Sequence, residues 1–364
     1  MSNAKTTGSQ VTAPTNQGTG VLTLDPKLQS DVETLLSRSR APEAAAIVID
    51  VRTGKILAWA SVDAQGRDLV AQPYAPPASL FKVVTAASLL EDAKVTSNTR
   101  QCYVGGHRNV YLRDLRQSGA GGASCSTFAT ALGYSQNMVM AGLAVRYLEP
   151  PKLQAMAERL GFNGAVPIDV SVGAGSSRVP SSDEGMARAA AGFGPGTLTP
   201  LEAAYMMTVL AREGVRPSVQ LVEHIVGPDG KPKAASPRQV GPSRAVSQAT
   251  ARSLRGMLEV TTREGTAFRS FRDEGGRRYL GTHCGVGKTG TLSRGKPRRL
   301  FSWYAGYAPT NNPEVAVAVM LANEQRWWRK GPEVARDVLR AYFAANRTAG
   351  VTHPIRGATA RRER

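Results

Sequence analysis

What the chain lacks narrows it first. It has three cysteines and four histidines in 364 residues, too few cysteines for a disulfide scaffold and no zinc-ligand spacing. His107, His224, His283 and His353 are scattered and are expected to be structural or exposed, so neither a metal nor a cofactor is read from them. Acidic residues are also scarce: 28 Asp and Glu stand against 46 Lys and Arg, a net charge of +18. That balance favours an anionic partner, whether nucleic acid, a phospholipid surface or an acidic wall polymer; a solvated basic face is the plain alternative. No nucleic-acid-binding motif or aromatic platform accompanies the charge, so nucleic acid is set aside as a partner. No stretch reaches the roughly 18 to 20 uninterrupted apolar residues of a membrane span, and no signal peptide opens the sequence. What is present, 41% hydrophobic and 20% charged residues, describes a globular protein long enough to bury a large core.

Residues 1–20 are polar and rich in Gly, Ser and Thr, the composition of a flexible leader, and a native membrane anchor is expected upstream of them. Residues 348–364 read as a basic tail. Residues 21–347 between them form the folded domain. Asp25 stands where an N-cap belongs, Pro26 at the first helical position, and Leu28, Val32, Leu35 and Leu36 at helical spacing, which predicts an amphipathic helix. AAAIVIDVRTGKILAWAS holds two apolar runs round an Arg-Thr-Gly turn, which predicts a hairpin. RLFSWYAGYAPTNNPEVAVAVMLAN predicts two more strands, and a last helix follows over 332–345. The stretch 79–265 is mostly helical in pattern and punctuated by glycine. Strands thus cluster at both ends and helices in the middle. That order predicts an α+β fold: one antiparallel sheet built from both ends, flanked by helices, with an inserted helical lobe and a site where lobe meets sheet.

The chemistry begins at PPASLFKVVTAASLLEDA. Pro76 and Pro77 stop the preceding segment, so Ser79 falls at a helix N-terminus, where unpaired N–H groups and the dipole favour developing negative charge. Lys82, three residues on, shares its face. A serine hydroxyl becomes nucleophilic when a base takes its proton, and a lysine is such a base if burial and a second cation lower its pKa. The plain alternative is a capping serine and a solvated lysine. Ser-x-x-Lys recurs at Ser2 with Lys5 and at Ser293 with Lys296, but only Lys82 precedes an apolar helix able to bury it. Ser135-Gln136-Asn137, at a break between helical stretches, offers a hydroxyl and an amide to a cleft. Lys288-Thr289-Gly290-Thr291, on a strand, offers a cation, two hydroxyls and a glycine that lets another backbone come close; Lys-Thr-Gly occurs once.

In kind and in order these motifs resemble the Ser-x-x-Lys, Ser-Asp-Asn and Lys-Thr-Gly signature of penicillin-recognising serine enzymes. LTLDPKLQ, VIDVRTGKILAWAS, GFGPGTLTPLEAAYMMTVLAREG, VTTREGTA and SWYAGYAP extend the likeness over residues 21–347, to the transpeptidase domain of high-molecular-mass penicillin-binding proteins. Gln136 departs from many relatives at a position the family tolerates.

The resemblance implies a reaction. Ser79 would attack the carbonyl between two D-alanines of a peptidoglycan stem peptide, or the amide of a β-lactam. Lys82 would take the proton, and Ser135, helped by Lys288, would relay it to the leaving amine. Asn137 would bind the substrate amide, and Thr289 and Thr291, with Lys288 nearby, would hold the terminal carboxylate, with Gly290 in the same substrate-binding strand. Backbone N–H groups of Ser79 and Thr291 would form the oxyanion hole. The partners implied are stem peptides, β-lactams and wall-synthesis proteins, in the periplasm or on the outer face of the cytoplasmic membrane. In that compartment Cys102 and Cys125 are expected to form a disulfide, with two buried thiols as the alternative, and Cys284 is left over. A D,D-carboxypeptidase, an oxacillinase-like β-lactamase and a non-catalytic β-lactam sensor share the motifs. Asn137 and the long region 180–270 stand against the oxacillinase, and LTLDPKLQ against the sensor. The class A lactamase carboxylate is missing, because the window 164–178 holds only Asp169. The basic-aromatic run from Arg326 to Lys330 is expected to pack under the last helix.

Overall fold

The computed structural model describes residues 4–349 apart from 94, 105–109, 117–122, 236–242 and 296–297. It corrects the expectation of a flexible leader over residues 1–20. That segment holds β1 (Lys5–Thr7), β2 (Gln10–Thr15) and β3 (Gly18–Leu22), which pair in succession. The partner of β3 lies some two hundred residues on, where Val21 faces His224 and Thr19 faces Val226. Gly18 has φ +135°, and a Cβ there would overlap the Val226 carbonyl. The glycines and threonines that look like a linker therefore serve close strand pairing, which local composition does not reveal.

α1 (Pro26–Arg38) starts on Asp25, whose carboxylate accepts from Leu28 N at 2.7 Å, and buries Leu28, Val32 and Leu36. β4 (Glu43–Asp50) and β5 (Ile56–Asp63) form the expected hairpin. A 3-10 turn at Ala78–Leu80 leads into α2 (Phe81–Glu91), then β6 (Arg100–Tyr103), α3 (Leu112–Arg116), β7 (Ser124–Thr127), α4 (Phe128–Gly133), α5 (Asn137–Tyr147) and α6 (Pro150–Arg159). Then come β8 (Ser176–Ser177), α7 (Asp183–Ala190), β9 (Gly196–Thr197), α8 (Pro200–Ala211), β10 (Val222–Val226), β11 (Pro232–Ala234) and α9 (Gln248–Arg263). The chain closes with β12 (Val286–Arg294), β13 (Arg299–Ala308), β14 (Val315–Asn323) and α10 (Gly331–Ala349). α10 thus runs into the segment expected to be a basic tail, and residues beyond 349 lie outside those described.

The main sheet has the order β12-β13-β14-β4-β5, antiparallel throughout. Pairing of β14 with β4, Val317 opposite Val48, joins the two ends of the chain. Every residue of β14 is buried, because helices cover both faces and alternation is lost. Val32 of α1 and Val338 of α10 pack on one face with Val48 and Val317. α8, buried along its whole length, lies on the other side with the lobe. Its N-terminus carries a capping box: Thr199 Oγ1 accepts from Glu202 N, and the Glu202 carboxylate accepts from Thr199 N at 2.8 Å.

Cys102 faces Cys125 across the β6–β7 pair and the two are disulfide-bonded, while Cys284, just before β12, forms no disulfide. The Arg326–Lys330 run departs from expectation, since Trp328 is 49% exposed and stacked by Arg326 and Arg40. Two arginines within cation–π distance favour that ring at the surface, so it gains less from packing beneath α10. Among the described residues no helix is long and apolar enough to cross a membrane.

Candidate active site

Ser79 sits in the 3-10 turn ahead of α2, behind an alanine in an unusual conformation. Ala78 has φ +48°, which costs an L-residue roughly 1 to 3 kcal/mol and persists where surroundings enforce it. From Phe81 to Leu89 α2 is buried on all sides, so Lys82 is wholly buried with them. One helical turn brings its Nζ to 2.8 Å from Ser79 Oγ. The same nitrogen lies 3.3 Å from Ser135 Oγ and donates to Asn137 Oδ1 at 2.7 Å.

Those two partners come from the break between α4 and α5. α4 is capped by Thr127 and stops at Gly133, where a Cβ would overlap Val260 of α9. Ser135 has φ +57°, a second strained non-glycine residue near Ser79, and Asn137 opens α5. The motif therefore spans a forced turn between two helices, which aims its first and third side chains at Lys82.

β12 supplies the opposite wall. Lys288 is buried and donates to Thr289 O at 3.0 Å. Gly290 of this strand lies beside the Ser79 turn: a Cβ there would be tight against Trp303 Cβ, at 3.1 Å, and at ordinary contact distance, 3.5 Å, from Ala78 Cβ. Thr291 is exposed, and Thr289 Oγ1 lies 2.6 Å from Thr266 Oγ1. Thr266, just after α9, also donates its N–H to Gly133 O, so one threonine ties the Ser135 turn to β12. Thr266 belongs to the Gly-Thr-Ala of VTTREGTA, so the family likeness covers it, but its contact with Thr289 is not legible in the sequence.

Burial holds the Lys82 ammonium pKa well below its ordinary 10.5, and the charge of Lys288 lowers it further. Lys288 is itself pushed down to about 7 by burial. A buried amine without a carboxylate partner is poorly hydrated as a cation, so the neutral form is favoured beside Ser79. The hydrogen bonds described for Lys82 run to Ser79, Ser135 and Asn137, none of them a carboxylate. Asp169 lies elsewhere, accepting from Leu221 N and Val222 N at 2.9 Å each. Of the competing Ser-x-x-Lys pairs, Lys5 is exposed on β1 and Ser293 exposed near the end of β12, while Ser2 and Lys296 lie outside the described residues. No three His, Cys, Asp or Glu side chains gather to hold a metal ion among the described residues.

A family model described as the penicillin binding protein transpeptidase domain matches residues 44–343. Stage V sporulation protein D of Bacillus subtilis is 25% identical over 342 residues, covering 87% of this chain and 52% of that protein. Peptidoglycan D,D-transpeptidase PbpA of Mycolicibacterium smegmatis is 28% identical over 290 residues, covering 74% and 54%. The chain thus spans about half the length of the curated relatives it matches. The D,D-transpeptidase domain of a peptidoglycan glycosyltransferase from Eggerthella lenta superposes with a TM-score of 0.71 at 27% identity, over 89% of this chain and 82% of that one.

Proposed function

The chain belongs to the penicillin-binding-protein transpeptidase family, and we propose that it is a peptidoglycan D,D-transpeptidase working through an acyl-enzyme on Ser79. The observation that carries this reading is the buried Lys82 amine, in contact with Ser79 Oγ, Ser135 Oγ and Asn137 Oδ1 at once. The lone pair of neutral Lys82 accepts the Ser79 proton as Oγ bonds to the penultimate D-alanine carbonyl. The N–H groups of Ser79 and Thr291 hold the resulting oxyanion, each donor worth about 3 to 4 kcal/mol of barrier. Ser135 then passes the proton from Lys82 to the leaving D-alanine nitrogen, and the C–N bond breaks. Lys288, with Thr289 and Thr291, attracts the terminal carboxylate of the stem peptide, and Asn137 fixes its amide. An amine of a second stem attacks the ester, its proton returns through the same groups, and Ser79 is released.

A β-lactam enters by the same attack, but its leaving nitrogen stays tethered and blocks the acceptor. Such work belongs outside the cytoplasmic membrane, where the Cys102–Cys125 disulfide persists. Intact mass after incubation with benzylpenicillin, followed by peptide mapping, tests the reading. One adduct on Ser79 is expected, lost in Ser79→Ala; an adduct that persists in that variant, or maps to Ser135, overturns it.

A further inference from the structure

The turn after α7 reaches the nucleophile from behind. Gly192 has φ +90°, and a Cβ there would overlap Ala78 O, lie 2.7 Å from Ala78 C and stand 3.0 Å from Ser79 N. Ala78 Cβ, on the same short turn, faces Gly290 of β12. The Ala78–Ser79 peptide is therefore crowded by the bare Gly192 carbon from the lobe, while the Ala78 side chain stands within ordinary contact of Gly290 on the sheet. Neither flank can drift freely. Thr85 Oγ1 of α2 donates to Ala190 O at 2.9 Å, Leu198 N to Ala75 O at 2.8 Å, and Trp303 Nε1 to Pro76 O at 3.0 Å.

Gly192 also ends α7 in the ordinary way, its N–H donating to Ala189 O while Phe193 N donates to Arg188 O. That duty explains its positive φ. It does not explain contact with the peptide before the nucleophile. Ala78, at φ +48°, has no local preference for its conformation, so packing must supply the orientation.

We propose that Gly192 is a positioning residue whose bare Cα sets the plane of the Ala78–Ser79 peptide, and with it the direction of the Ser79 N–H. The inference rests on the acyl-enzyme reading above. A methyl group at 192 must displace either the turn, tied by Thr85, or the peptide, tied through Ala75 and Pro76. Tilting the peptide moves a donor that has to meet the oxyanion within hydrogen-bond distance.

The test compares wild type, Gly192→Ala and Thr85→Val as the full chain, with a β-lactam and its thiono analogue, in which sulfur replaces the reacting carbonyl oxygen. Sulfur is larger and a poor acceptor, so a well-aimed donor discriminates strongly between the two. In Gly192→Ala the acylation step is expected to slow about 100-fold, as for a misplacement of about 1 Å. Binding before acylation should change little, and the oxygen-to-sulfur rate ratio should fall about tenfold. A defect confined to folding would reduce the fraction of active molecules and leave that ratio alone. Should Gly192→Ala fail to fold, Thr85→Val, which frees the turn without touching Gly192, carries the test with a fall of about threefold in the ratio. An unchanged ratio in the folded variants, or acylation by Gly192→Ala at the wild-type rate, overturns the inference. Absence of a Ser79 adduct in wild type would instead overturn the acyl-enzyme reading, and this inference with it.

Discussion

The two buried amines, Lys82 and Lys288, face opposite demands in the proposed reaction. In the acyl-enzyme mechanism proposed above, Lys82 has to be neutral to accept the Ser79 proton and Lys288 charged to attract carboxylate. Burial and its neighbour hold Lys82 well below 10.5, and burial takes Lys288 to about 7. As pH falls Lys82 takes up a proton and the base is lost; as pH rises through about 7 Lys288 loses its charge. The rate of benzylpenicillin acylation is therefore expected to be bell-shaped in pH. Lys288→Met removes the like charge, so the Lys82 pKa rises and the acid limb moves to higher pH, with the maximum rate falling by roughly 100-fold. A stopped-flow profile in which Lys288→Met leaves the acid limb in place would contradict the coupling. The same lysines bear on stability. Both pKa values are depressed on folding, so between them and 10.5 the unfolded chain binds more protons, and stability rises with pH. Ser79 and Lys82 are legible in the sequence because three residues of helix fix their meeting. Thr266, Ala78 and Gly192 are not, because each matters through a contact with a distant element.

At the scale of elements, the first three strands are the clearest departure from composition. They bury Val11, Val21 and Leu22, and their ladder continues into β10. They lie on the β5 side of the main sheet: Asp25 N, just past β3, donates to Leu57 O, whereas the site lies on β12 at the opposite edge. Deleting residues 1–17 removes Val11, whose burial is worth about 2 kcal/mol, along with two strands of the ladder. The expected result is a lower thermal midpoint, by a few degrees, with the penicillin acylation rate per folded molecule unchanged. A melting curve that coincides with that of the full chain would show the strands to be ornamental. α8 was legible in part. Its Leu-Thr-Pro start carries a family likeness in the sequence, whereas the burial of Glu202 is a property of the fold. Its carboxyl pKa is pushed up to about 7 by burial, against hydrogen bonds from Thr199 and Gly175 that pull it down.

For the molecule as a whole, the fate of the acyl-enzyme depends on what surrounds Ser79 once it is acylated. Hydrolysis needs a water held at the ester and a base to activate it. Lys82 remains as a base, but its described partners are Ser79, Ser135 and Asn137, and Asp169 is spent on backbone amides. The penicillin adduct is therefore expected to last minutes or longer, with a decay rate indifferent to bicarbonate. If Lys82 were carbamylated it would gain a carboxylate and bicarbonate would speed turnover. Intact mass followed over time, with and without bicarbonate, distinguishes the two, and turnover of many drug molecules per second would favour a lactamase.

The sequence by itself determined the pieces that depend on neighbours along the chain. Asp25 caps the helix that Leu28, Val32 and Leu36 bury, hairpins form round their turn residues, and the serine and lysine of α2 meet across one turn. Their order along the chain also implied a sheet made from both ends. Only the tertiary structure decided the rest. β3 finds β10 across some two hundred residues, and the Lys82 pKa is held down because helices and sheet exclude water from it. The left-handed conformations of Ala78 and Ser135 oppose local preference; Gly192 lies against the Ala78 peptide, and Gly133, two residues before Ser135, lies against Val260 of α9. Local patterns record local energies, whereas desolvation and enforced strain are properties of surfaces brought together by the whole fold.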